Sequence, residues 1–340
     1  EVAAPQPAVD PSEQTWLVMV YADADDEVLE EDMLFDINEM ELTGSSERVQ
    51  VVVQVDRYTG GYAGDGDWTG ARRYFIDQDA DLSTLNSPLL AELGEVNMGD
   101  PLTLIDFVDW SVNSYPADRY VLILSDHGGG WTGGWTDPDP SYDYLSLNEM
   151  NDAFSMIVTI LEGKKLDLIG FDACLMSQLD VYSTAAPYAD FSVASEEVEP
   201  AAGWAYAAFL GRLVDNPAMN ASDLASIIVE TYLEQDQRYL DDAARANLFQ
   251  GNTDFSAQDV IDWAMSTSTL TAIDLAYIPK VNQAMNDFAY YMTTIDQTIV
   301  AAARNYAPSF QSVFGKDTPP SFVDLVNFSL ILENEATAGD

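Results

Sequence analysis

The chain contains one cysteine, Cys174, and one histidine, His127, in 340 residues. No intrachain disulfide can form, and a metal centre with two or more imidazole ligands is excluded. Basic residues are scarce as well: 13 Lys and Arg stand against 58 Asp and Glu, for a net charge of −45. Nucleic acid and anionic lipid are held by clusters of Lys and Arg, so neither is an expected partner, whereas cationic substrates and Ca²⁺ suit the charge. No run of 18 apolar residues occurs, so no transmembrane segment is expected. HExxH, GxSxG and GxxxxGK[ST] are all missing, which removes several hydrolase and nucleotide-binding classes. What the chain does have is 47% hydrophobic and 11% aromatic residues with only 15 Pro and 20 Gly. That is enough to bury a sizeable core, so the acidity does not signal disorder.

Apolar runs at 16–22, 49–56, 120–125, 166–174 and 190–197 read as strands, several of them fully buried. Helical spacing marks 27–43, 102–113, 147–161 and 176–186 between them. RRYFID at 72–77 reads as a hairpin arm and the polar stretch 132–146 as a long loop. Strands alternating with helices imply right-handed crossovers and an α/β fold: a mostly parallel sheet with helices on both faces. Residues 1–14 read as a linker-like segment, 15–220 as the α/β domain, and 221–340 as a helical C-terminal extension packed on it. The latter has helical signals at 222–234 and 272–304, interrupted at Pro279, and a last helix near 322–333 after the turn KDTPPS. The Pro/Ala-rich opening leads us to expect a mature chain whose signal peptide has been removed, hence a secreted or cell-envelope protein.

His127 follows the strand YVLILSD and precedes three glycines, while Cys174 ends LDLIGFDAC. Both therefore fall at the carboxyl ends of neighbouring parallel strands, where ligands bind in open α/β sheets. Imidazole beside a thiol supplies the base or cation that makes it nucleophilic, and glycines let amides approach a substrate oxygen. Spacing alone leaves a second reading open, in which Cys174 is a small core residue and His127 a turn residue.

Four blocks, MVYADADDEVLE (19–30), SDHGGGW (125–131), IGFDACLM (169–176) and ASEEVEPAAGWAY (194–206), resemble in order those of the clostripain-like cysteine peptidases, in the caspase–gingipain–legumain group. The resemblance implies a caspase-haemoglobinase-like fold and an endopeptidase that cleaves after Arg, and less well after Lys, through a Cys–His dyad and a thioester acyl-enzyme. Cys174 would be the nucleophile and His127 the base, with the amides of Gly128 and Cys174 as oxyanion hole. Asp172 would line the first specificity pocket, with Glu196, Glu197 and Glu199 as weaker candidates for a second acidic group, Glu197 taken among them, and Trp204 as a pocket wall. Trp131 and Trp135 flank the glycine turn and would shape the cleft. Expected partners are protein or peptide substrates with basic residues, met by a monomer. No cofactor is required, although calcium is used by some relatives, and Asp23, Asp25, Asp26 and the Asp137/Asp139/Asp143 loop could supply oxygen ligands.

Many such enzymes cut themselves after a basic residue between the two dyad blocks. Here the only basic residues in that interval are Lys164 and Lys165, directly before the nucleophile strand. The alternative reading is a latent or non-catalytic caspase-like module that binds or scaffolds. A carboxylate-based hydrolase or calcium-binding structural protein is a further rival, with no motif singling out a carboxylate pair.

Overall fold

The computed structural model describes residue 10 and residues 12–138, 142–248, 256–310 and 322–338. Among the described residues ten strands run β1 (Trp16–Ala24), β2 (Val49–Arg57), β3 (Ala71–Phe75), β4 (Leu89–Gly94), β5 (Arg119–Ser125), β6 (Gly134–Asp137), β7 (Asp143–Leu145), β8 (Leu166–Asp172), β9 (Ala189–Ala194) and β10 (Thr271–Asp274). Eight of them form one sheet in the order β10-β9-β8-β5-β1-β2-β3-β4. The centre from β9 to β2 is parallel, and β10, β3 and β4 pair antiparallel at the flanks.

The parallel centre follows from the apolar runs. All nine residues of β1 are buried, as expected for a strand covered on both faces. Alternate side chains divide between two cores. Trp16, Val18 and Val20 face a layer that includes Met33 and Ile37 of the helix Glu30–Thr43 and Phe209 and Leu224 of later helices. Leu17, Met19 and Tyr21 face Phe107 of the helix Pro101–Ser114 and Phe154 of the helix Leu147–Ile160. The latter helix begins on a reciprocal cap between Ser146 and Glu149, which satisfies amides that would otherwise lack partners.

Several elements differ from the sequence reading. The polar loop after His127 folds back as a β6–β7 ribbon, separate from the main sheet. β10 comes from the otherwise helical C-terminal region and extends the sheet beyond β9. Pro279 opens the helix Ile278–Met292 instead of interrupting one, because the first turn has no need of its missing N–H. KDTPPS lies outside the described residues, as do residues 1–9 of the linker-like segment.

Candidate functional site

Register sets the site. Ser125 of β5 pairs with Asp172 of β8, so His127 and Cys174, each two residues further on, leave the sheet at the same level from adjacent strands. The Asp126 amide donates to the Asp172 carbonyl at 3.3 Å, continuing the ladder by one step. Beyond Cys174 the chain turns sharply at Leu175, whose φ of 63° is costly for a branched side chain. The turn is held by Leu175 N–H to Glu197 O at 3.1 Å and Ser177 N–H to Ser195 O at 2.7 Å.

The glycine turn packs on the other side. Gly128 lies against the Cys174 carbonyl so closely that a Cβ there would sit 2.2 Å from that oxygen. Gly128 bridges Gly134 through the amides of its neighbours, Gly129 to Gly133 O at 2.7 Å and Trp135 to His127 O at 3.2 Å. The Gly128 N–H therefore stands outside that pairing.

His127 and Cys174 line two cavities that meet at them, with Val198 shared by both. The first, about 340 Å³, is walled by the glycine turn, Thr136 and Tyr144. The second, about 180 Å³, runs towards Met33, Asp36, Asp172, Glu199 and Gly203. Asp172 is buried there, accepting from the Tyr206 hydroxyl at 2.8 Å and the Ser125 hydroxyl at 3.4 Å. Burial pushes its carboxyl up to about 6, against the lowering effect of those bonds. Glu199, also buried, is pushed well above the usual range by burial and then by Asp172. The two form a carboxyl pair in which holding both charges is costly until a cation arrives.

His127 is half exposed, with Nε2 3.4 Å from Asp26 Oδ1. The same oxygen accepts the amides of Val28 and Leu29, both at 2.8 Å, so Asp26 is fixed in the turn after β1. The pair raises the imidazole above its ordinary value and lowers the Asp26 carboxyl. Asp126 is buried and binds the Thr136 amide at 2.9 Å, tying the end of β5 to β6. Burial pushes the Cys174 thiol up, so the resting thiol is neutral and needs a base to ionise.

Two expected pocket residues do not reach the second cavity. The Glu197 carboxylate folds back on the Val198 amide at 2.9 Å, leaving Glu199 as the acid of that segment in the cavity wall. Trp204 is fully enclosed, its ring seated where Gly170 lacks a side chain and edge-on to Phe209. Trp135 is likewise buried, against Phe171, while Trp131 is exposed. The sequence does not mark Asp26 and Asp36 for these places, because in an acid-rich helix and loop nothing in their spacing distinguishes them.

The acidic runs considered for calcium are partly brought together. One carboxylate oxygen each from Asp25, Glu95 and Asp137 lies within 4.8 Å of the others. Beside them, Asp23 and Asp56, paired across β1 and β2, are fully buried and each has one oxygen, Oδ2, without a hydrogen-bond partner. Four buried carboxylates and the exposed Glu95, all oxygen donors, fit a hard divalent ion such as Ca²⁺. Asp26 is turned to His127 instead, Asp143 accepts from Asn97 at 2.8 Å, and Asp139 lies outside the described residues.

Comparison with known proteins gives the family and the fold. The chain is 31% identical over 237 residues to clostripain of Hathewaya histolytica, a match covering 61% of this chain and 43% of that protein. It thus spans less than half the length of that curated relative. Among solved structures it is similar to a secreted C11 cysteine protease from Bacteroides thetaiotaomicron, iotapain (TM-score 0.64, 12% identity, 95% of this chain and 83% of that one). It is also similar to an inactive zymogen C11 protease from Parabacteroides distasonis (TM-score 0.58, 16% identity, 98% and 81%). At such identities these structures establish the caspase-like fold. The sequence profile described as the clostripain family matches residues 20–337, nearly the whole chain, and the chain belongs to that family.

Proposed function

We propose that this chain is a cysteine endopeptidase that hydrolyses peptide bonds after Arg, and less well after Lys. The observation that carries the reading is the meeting of the two cavities at His127 and Cys174: one offers an amide-lined turn, and the other ends on buried carboxyls.

His127 takes the thiol proton of Cys174 as sulfur attacks the scissile carbonyl carbon. The resulting oxyanion is received by the amides of Gly128 and Cys174, donors of a kind worth about 10²–10³ in rate each. On collapse the C–N bond breaks, the amine leaves with the proton from His127, and a thioester remains on Cys174. Water, deprotonated by the same imidazole, then hydrolyses the thioester and restores the thiol. The substrate guanidinium enters the smaller cavity and pairs with Asp172, the charge-assisted contact that the Asp172–Glu199 pair lacks. Lysine, a point charge on a flexible stem, makes the weaker match.

Asp25, Glu95 and Asp137, with Asp23 and Asp56 adjacent, would hold a calcium ion. Its contribution would be to neutralise these carboxylates and fix the loops after β1 and β6. The reading includes a monomer acting outside the cell, supported by the secreted relative and by the strongly acidic chain, which attracts basic substrates. No helix among the described residues is long and apolar enough to cross a membrane. The partly buried thiol, held neutral by burial, favours one second reading, a latent form in which the dyad is assembled but not yet reactive.

The test is turnover of fluorogenic peptides ending in Arg, Lys, Asp, Asn or Leu. Arg and Lys turnover that is lost in Cys174→Ala supports the proposal. Cleavage confined to another residue keeps the dyad and refutes the specificity. No turnover, together with slow iodoacetamide alkylation of Cys174, favours the latent form.

A further inference from the structure

The smaller cavity is built from two segments, the helix Glu30–Thr43, which contributes Met33 and Asp36, and the loop 198–203 after β9. Between them lies the guanidinium of Arg238, from the short helix Gln237–Leu240. It is 2% exposed. Nη2 donates to Asp36 Oδ1 on the helix and to the Ala202 carbonyl on the loop. It also donates to Asp236 Oδ2 at 2.9 Å, while Nε reaches Asp236 Oδ1 at 3.2 Å. Nη1 reaches the Asp32 carbonyl at 3.3 Å, and the plane lies over Phe35, 4.9 Å from its ring centre. The segment is anchored further by the Gln237 amide on Glu39 at 3.0 Å.

The geometry next to this group is tight. Ala202 precedes Gly203, whose φ is +57° and where a Cβ would come within 3.1 Å of both Asp172 oxygens and of Asp36 Oδ2. The loop thus passes between the two carboxylates at the one residue without a side chain. Asp36 uses Oδ1 for Arg238, and Oδ2 is the oxygen near Gly203. A planar fork with five donors reaches Asp36, the Ala202 carbonyl, both Asp236 oxygens and the Asp32 carbonyl together, more acceptors than the three donors of an ammonium can satisfy.

We propose that Arg238 is a positioning residue for the specificity cavity: it clamps the loop at Ala202 to the helix at Asp36, so that the pocket for the substrate's basic side chain is completed by the C-terminal part of the chain. By engaging Asp36, Asp236 and Asp32 it also leaves the Asp172–Glu199 pair as the carboxylates available to the substrate. Arg238 touches neither the dyad nor the substrate, so its loss weakens substrate binding and leaves the chemistry at Cys174 intact.

This inference rests on the reading of the smaller cavity as the pocket for Arg. The experiment compares the full chain with Arg238→Met and Arg238→Lys, recording the melting temperature, kcat and KM on an Arg-ending peptide, and the rate of Cys174 alkylation by iodoacetamide. A displaced pocket wall predicts a KM raised about 10- to 100-fold in Arg238→Met. It predicts a smaller rise in Arg238→Lys, with kcat and alkylation close to wild type in both. Wild-type KM in Arg238→Lys overturns the clamp, whether or not Arg238→Met folds. A parallel fall of kcat and alkylation with the rise in KM overturns it too, since Arg238 would then support the whole site. Wild-type protein that cleaves only after uncharged residues refutes the pocket reading itself; cleavage after Arg with KM unmoved in both variants refutes the clamp alone.

Discussion

Replacing Asp172 with Asn is expected to move activity and stability in opposite directions. The carboxyl is buried and faces Glu199, and burial holds its pKa at about 6. An Arg substrate gains a charge-assisted contact there, of the kind worth about 1.5–3 kcal/mol. At about 1.4 kcal/mol per tenfold, Asp172→Asn should lower kcat/KM on Arg peptides by roughly 10- to 150-fold. The loss is bounded because Glu199, freed of its charged neighbour, ionises more easily and partly substitutes; Asp172→Asn with Glu199→Gln should therefore cost more than either alone. Citrulline peptides, of similar shape but uncharged, should be cleaved no worse than by wild type. For stability the sign is reversed. A carboxyl raised in the fold contributes fully below its unfolded value near 4, and that contribution is lost as pH climbs through about 6. Asn cannot ionise and still accepts from Tyr206, so the variant should unfold at the same or a higher temperature than wild type at pH 7.5, and the gap should close at pH 4. Peptide kinetics and scanning calorimetry at the two pH values test both halves. Equal losses on Arg and citrulline peptides would refute the reasoning, because Asp172 would then act through structure and not through charge.

Three further outcomes follow from the geometry. Activity requires neutral His127, so the acidic limb of kcat/KM follows its raised pKa; Asp26→Ala should shift that limb down towards about 6.5, and an unmoved limb would show that Asp26 does not reach the base. Gly128→Ala places a Cβ 2.2 Å from the Cys174 carbonyl, so activity should fall by about 10² or more as the turn is pushed away, with little effect on Arg-inhibitor binding; near-normal turnover would remove Gly128 from the oxyanion site. Calcium at about 100 times its dissociation constant should stabilise the fold by about 2.7 kcal/mol, raising the melting temperature, and Asp137→Asn should abolish the shift; an equal shift in the variant would place calcium elsewhere.

Much of this arrangement was legible in the sequence, for physical reasons. β1, β2, β5, β8 and β9 are apolar runs because the sheet is covered on both faces, and a chain with one Cys and one His makes their positions at strand ends conspicuous. β4 was not visible because it is an edge strand with mostly exposed residues, and β10 because it has four residues and takes its register from β9. Glu197 and Glu199 are indistinguishable by spacing; a local turn sends one onto the Val198 amide and the other inward. Trp204 belongs to the core because Gly170, 34 positions earlier, leaves a slot for its ring, a pairing that only tertiary structure shows. Asp36 and Arg238 are 202 positions apart, and in a chain of 58 acids no local signal links them.

The most direct test of the central claim is to treat the protein with a peptidyl-arginine chloromethyl ketone and measure its mass. The account predicts one adduct, on Cys174, abolished in Cys174→Ala and slowed in Asp172→Asn. An unmodified wild-type chain, or an adduct on any residue other than Cys174, would contradict it.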